Sequence, residues 1–206
     1  MNHPTNRSRR ALIALCVAGS LAGCDKLGPS APAAAAFNGV DITGAEYGRE
    51  LALPDADGQA RTLGDFKGKV SVVFFGYTQC PDVCPTTLAE LARIKQSLGA
   101  DGSRVQGVFV TVDPERDTAE VLKAYVGNFD PSFVALRGSA AQTTAAAREF
   151  KVFFAKVPGK TPDSYTMDHT AGSYVIDAKG RLRLFERYGT PPEALAADLK
   201  QLLKEG

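Results

Sequence analysis

The chain has 206 residues, with 24 Lys and Arg against 23 Asp and Glu, a formal net charge of +1 and 44% apolar side chains. A near-neutral balance without a long basic run excludes a nucleic-acid surface. The apolar content suits a globular domain with a real core, and no internal repeat is present.

Residues 1 to 24 read as an export signal. Arg7, Arg9 and Arg10 precede the apolar run Ala11 to Ala22, which is too short to cross a bilayer as a helix of roughly 20 residues. Its end, Leu21-Ala22-Gly23-Cys24, resembles a bacterial lipobox. That resemblance implies cleavage before Cys24 and lipid attachment to its sulfur. Asp25 follows, as in many lipoproteins kept on the inner membrane of Gram-negative bacteria. Several acyl chains on one cysteine anchor a protein stably. Loss of residues 1 to 23 removes three arginines and no acid, leaving 21 basic against 23 acidic side chains, or −2. The Ala-, Pro- and Gly-rich stretch that follows reads as a flexible tether. The organisation expected is therefore a lipoprotein signal peptide over 1–23, the lipidated Cys24 and a tether over 24–40, and a single domain over 41–206.

Within that domain, Val70 to Phe75 is a continuous apolar run, the mark of a strand buried on both faces. Thr86 to Leu98 carries apolar residues at 88, 91, 94 and 98, a helical spacing. Val105 to Val112 is the next strand. Asp117 is placed to cap a helix through Asn128, with Glu120 completing a capping-box pattern. Phe133 to Leu136 is a short strand and Ser139 to Phe150 a serine-capped helix. Ser173 to Asp177 and Arg181 to Glu186 form a hairpin around Ala178-Lys-Gly180. Pro191 to Leu203 is a closing helix with proline in its first turn. Strand–helix alternation of this kind predicts an α/β sheet covered on both faces, with a ligand where strands end and helices begin.

Cys80 and Cys84 occupy such a place. The other two of the four cysteines, Cys16 and Cys24, fall in the signal region. Both Cys80 and Cys84 precede prolines, which disfavours helical backbone at each. The expectation is a loop, with Cys84 near the N-cap, Pro85 at the first helical position, and the helix dipole favouring a thiolate. A structural disulfide is a weak reading, since closing so small a loop removes little chain entropy. A thiol–disulfide exchanger and a soft-metal site, for copper(I) or zinc, remain. His169 bears on the choice. It is the one histidine beyond the signal region, since the other is His3. A lone loop histidine is commonly a surface residue, but the segment leading into the hairpin passes beside the loop after the first buried strand. A Cys, Cys, His set would hold copper(I) with three ligands, or copper(II) with a fourth added. Asp82 is expected to be exposed or to cap, because a hard carboxylate suits copper(I) poorly. Asp113 and Asp117 are read as a turn former and a helix cap, in preference to an acidic docking rim. Met167 is read as a residue beneath a loop, with outer ligation as the alternative.

The stretch Phe74-Phe-Gly-Tyr-Thr-Gln-Cys-Pro-Asp-Val-Cys-Pro-Thr-Thr-Leu88, then Thr111-Val-Asp-Pro-Glu-Arg-Asp-Thr118, then Asp168-His169 before a hairpin, resembles the SCO/SenC family over roughly residues 45 to 205. The resemblance implies a thioredoxin-like three-layer α/β/α sandwich with a central mixed sheet. It also implies one copper, as Cu(I) or Cu(II), held by Cys80, Cys84 and His169. The function it implies is that of a membrane-tethered copper chaperone, not a turnover enzyme. Such a chaperone acts as a monomer on the periplasmic side of the inner membrane. It delivers copper to the CuA site of cytochrome c oxidase subunit II, or primes that site's thiols, and a further copper chaperone or thiol reductase is a possible partner. The alternative within the family is a thiol–disulfide oxidoreductase or redox sensor. Two features argue for metal over general exchange. Three residues separate the cysteines, where a thioredoxin has two. Thr170-Ala-Gly-Ser173 stands where a thioredoxin carries its cis-proline.

Overall fold

The computed structural model describes residues 36–161 and 164–206. The expected signal peptide, the expected lipidation at Cys24 and residues 24–35 of the expected tether lie outside the described residues. The compact unit runs from Phe37 to Gly206.

In chain order the elements are β1 (Val40–Asp41), β2 (Ala52–Pro54), β3 (Ala60–Thr62), β4 (Val70–Gly76), α1 (Val83–Ser97), β5 (Val105–Thr111) and α2 (Ala119–Gly127). There follow β6 (Val134–Leu136), α3 (Ala140–Glu149), β7 (Phe154–Pro158), β8 (Tyr165–His169), β9 (Gly172–Ile176), β10 (Leu182–Arg187) and α4 (Pro192–Glu205). Six strands form the central sheet in the order β1-β10-β9-β4-β5-β6. The β4–β5 and β5–β6 pairs are parallel, while β9 runs antiparallel to β4 and β10 antiparallel to β9. This is the mixed sheet of a thioredoxin-like fold. β2–β3 and β7–β8 form separate two-stranded sheets, the first touching β6 through an Asp55–Leu136 bridge.

Every residue of β4 and β5 is buried, as expected of central strands covered on both faces. Phe74 and Phe109 pack ring to ring on one face, and Tyr125 of α2 packs on Phe109. On the other face, Phe150 at the end of α3 packs on Phe75 and Tyr174. Helices therefore cover both faces of the sheet, and α4 lies alongside α1. The predicted hairpin is present: Gly180 takes a positive φ of 82°, and its N–H donates to Asp177 O at 2.9 Å. Helix α3 starts with the expected serine cap, Ser139 and Gln142 bonding reciprocally.

Two helix starts differ from the sequence reading. Helix α1 begins at Val83, so Pro85 is its third residue and Cys84 its second. First-turn N–H groups have no intrahelical acceptor, so proline costs nothing there. Helix α2 is capped by Thr118, whose side chain accepts from Val121 N. Asp117 does not cap it, because its carboxylate is engaged elsewhere.

Candidate metal centre

The loop from β4 to α1 carries both cysteines. A turn closes it, with Cys80 N donating to Tyr77 O at 3.3 Å. A buried carboxylate fastens it: Asp117 accepts from Thr78 N, from Thr78 Oγ1 at 2.6 Å and from Thr111 Oγ1 at 2.5 Å. Asp117 thus ties the cysteine loop to the end of β5. Burial raises its pKa, against the lowering effect of these bonds.

Cys84 is fully buried, and Cys80 is half-buried. Both are free thiols. Cys84 N donates to Cys80 Sγ at 3.4 Å, so a sulfur takes one of the unpaired N–H groups at the start of α1. The expected dipole-favoured thiolate is overturned for Cys84. Burial pushes its thiol well above the ordinary value, and the neighbouring Cys80 and Asp117 add to the rise. Gly76 makes the burial possible. A Cβ there would lie 2.8 Å from Cys84 Sγ and 2.9 Å from Phe74.

His169 is the last residue of β8, opposite Phe154 of β7, and not on a loop as the sequence suggested. Along β8 the residues Tyr165, Met167 and His169 share one face, since side chains alternate. The His169 ring stands edge-on to Phe74 and Tyr77, with centroids 5.8 and 6.0 Å away. Its Nδ1 bonds Thr170 O at 3.1 Å. That bond assigns the proton to Nδ1 and leaves Nε2 as the acceptor. Nε2 faces Cys84 Sγ at 3.5 Å. Burial lowers the His169 pKa, which keeps the imidazole neutral. The two sulfurs and Nε2 all lie within 4.8 Å of one another. Two soft sulfurs and a neutral imidazole form a donor set that suits copper(I) or zinc better than hard cations.

The remaining candidates sit around this centre. Asp82 is exposed and makes no side-chain cap bond. Met167 is buried and lines a cavity with Val112, Thr143 and Phe154. Asp113 is buried, its carboxylate bonded by Arg116 Nε and by Tyr165 Oη at 2.9 Å. The structural reading of Asp113 and Asp117 thus fits their places, though not the cap assigned to Asp117. Sequence reasoning missed Gly76, Thr78, Arg116 and Tyr165. Only the alternation Tyr165-Thr-Met-Asp-His169 carried a signal for the strand beneath the histidine.

A model of the SCO1/SenC family matches residues 40–204. The chain belongs to the SCO1/SenC family. The SCO2-like protein of Rickettsia felis is 38% identical over 152 residues, covering 73% of this chain and 74% of that protein. Among solved structures, copper-bound ScoI of Bradyrhizobium japonicum is 42% identical, covers 77% of this chain and 99% of its own, and superposes with a TM-score of 0.69. A SCO1/SenC family lipoprotein of Bacillus anthracis is 27% identical, covering 81% of this chain and 99% of its own, with a TM-score of 0.67. The SCO1/SenC assignment accords with the fold, and the cysteine loop and β8 both fall inside the matched span.

Proposed function

We propose that this SCO1/SenC protein is a copper carrier that holds one copper through Cys80, Cys84 and His169. In this reading a lipid on Cys24 and the tether over 24–40 hold it on the periplasmic side of the inner membrane. It hands its copper to the CuA site of cytochrome c oxidase subunit II, or primes the thiols of that site. The observation that carries the reading is the convergence of two sulfurs and an imidazole nitrogen within 4.8 Å. The copper held by ScoI of Bradyrhizobium japonicum supports the metal, and the lipoprotein of Bacillus anthracis supports the anchor.

The unequal burial of the ligands fits a carrier better than a turnover enzyme. Cys84 is fully enclosed, while Cys80 reaches solvent. A partner thiolate or imidazole would approach from the Cys80 side and replace that ligand first. Loading displaces the proton that burial keeps on Cys84, so uptake releases acid. A second reading, thiol–disulfide exchange, is favoured by the two free thiols and the accessible Cys80. In it the pair would reduce a partner disulfide to two thiols and itself become a Cys80–Cys84 disulfide, which removes both sulfur ligands.

Copper(II) titration of the parent and His169→Ala separates the readings. The carrier reading expects a thiolate-to-copper(II) charge-transfer band that saturates at about one copper per chain and is weakened by the substitution. Equal copper binding in both proteins, with exchange activity that depends on the cysteines alone, would replace it with the redox reading. A strain lacking the protein should lose oxidase activity at low copper and regain it when copper is added. Full activity at low copper would remove the assembly role.

A further inference from the structure

The ribbon that carries His169 is not bonded into the central sheet. Among the described residues, β8 pairs with β7 alone, and the two form a separate two-stranded sheet. The cysteine loop is likewise a connection between elements. Besides the direct contacts of Tyr77 and Cys84 with His169, Arg116 bridges the two ligand-bearing segments. Its Nη1 donates to Gln79 Oε1 at 3.1 Å, beside Cys80, and to Tyr165 O at 2.9 Å, at the start of β8. Its guanidinium lies 3.5 Å from the centroid of the Tyr165 ring and 5.8 Å from that of Tyr77. Its Nε is held by Asp113, which also accepts from the Tyr165 hydroxyl.

We infer that Arg116 is a positioning residue for the metal centre, locking the His169 strand in register with the Cys80–Cys84 loop. The residue type fits this task. A planar guanidinium can bond a carboxylate, a carboxamide and a carbonyl while stacking on an aromatic ring. A lysine supplies one mobile point charge and no flat face. Arg116 lies on the Asp113–Asp117 turn, and Asp117 fastens Thr78 of the same loop. The turn after β5 therefore holds the cysteine loop through Asp117 and the histidine ribbon through Arg116. The inference rests on His169 being a ligand only for its effect on copper. Its effect on the ribbon stands apart from that.

The test compares the full chain, Arg116→Gln, His169→Ala and the double variant. In the copper-free proteins, amide exchange from Tyr165 to Thr170 should rise at least tenfold in Arg116→Gln, with β4 and β5 unchanged. Copper(II) affinity should fall about tenfold on Arg116→Gln in the parent. In the His169→Ala background it should change less than twofold, because the imidazole that Arg116 positions is already gone. Equal losses in both backgrounds, or unchanged exchange in the ribbon, would overturn the inference. Unchanged affinity in His169→Ala would instead overturn the ligand assignment, leaving ribbon exchange to decide the role of Arg116. If Arg116→Gln does not fold, Gln79→Ala decides. Gln79 is exposed, so its loss spares the core, and copper affinity should fall about threefold in the parent and not at all beside His169→Ala. No change in the parent would then overturn the inference.

Discussion

Gly76 sets how closely a sulfur can approach the end of β4. Its φ is not positive, so turn geometry does not demand glycine. The demand comes from Cys84 Sγ, which occupies the space a side chain would take. In Gly76→Ala the sulfur or Phe74 must shift, at a cost of about 1–3 kcal/mol for an overpacked core site. Urea denaturation of the copper-free protein should register that loss, and copper binding should weaken with it. Parent-like stability together with parent-like binding would contradict the packing argument. The three proposed ligands were legible as residue types: a close cysteine pair and the one histidine beyond residue 24. Gly76 was not, because a glycine after a strand reads as a turn former until the helix behind it is in place. The protonation of Cys84 was also hidden. The sequence shows a helix start, which favours a thiolate, but not the burial that outweighs it.

The elements that carry the site were read unevenly, for a physical reason. β4, β5 and the β9–β10 hairpin announced themselves because central strands are apolar along their length. The β7–β8 ribbon did not: it lies outside the central sheet, and most of its residues are partly or fully exposed. Its alternation, Tyr165, Met167 and His169 on one face, is weak beside Val70 to Phe75. The start of α2 was misplaced by one residue because Asp117, a good cap by type, is drawn inward by Thr78 and Thr111. This gives a prediction about how loop and strand are joined. Asp117→Ala leaves Thr78 N, Thr78 Oγ1 and Thr111 Oγ1 without their acceptor, and each buried orphan costs about 1–3 kcal/mol. Stability should drop by about 3 kcal/mol in urea denaturation, and Asp117→Asn should recover part of it. If Asp117 merely capped α2, Asp117→Ala would cost only about 1 kcal/mol.

Across the whole domain the alternation of strands and helices was sufficient to predict three layers, since a sheet apolar on both faces must be covered on both. Buried charge was not legible in that pattern. Glu186 lies on β10 beneath Gly39, almost wholly buried, with the Asp198 carboxylate as its polar neighbour. Burial, then the neighbouring Asp198 carboxylate, raises its pKa from 4.5 to about 7. The folded chain therefore binds an extra proton between those values. The stability due to this proton is complete below pH 4.5 and is lost as pH rises through about 7, a change of about 3 kcal/mol. Glu186→Gln should remove that dependence, so its stability relative to the parent should rise between pH 4.5 and 8 in urea denaturation. Parallel profiles would mean that Glu186 is ionised in the folded chain. The central claim, a copper held by two sulfurs and one imidazole, is tested most directly by X-ray absorption of the copper(I)-loaded chain. The account predicts two sulfur scatterers and one nitrogen scatterer with imidazole multiple scattering, the imidazole signal vanishing in His169→Ala. A sulfur-only shell in the parent, or an imidazole signal that survives His169→Ala, would contradict it.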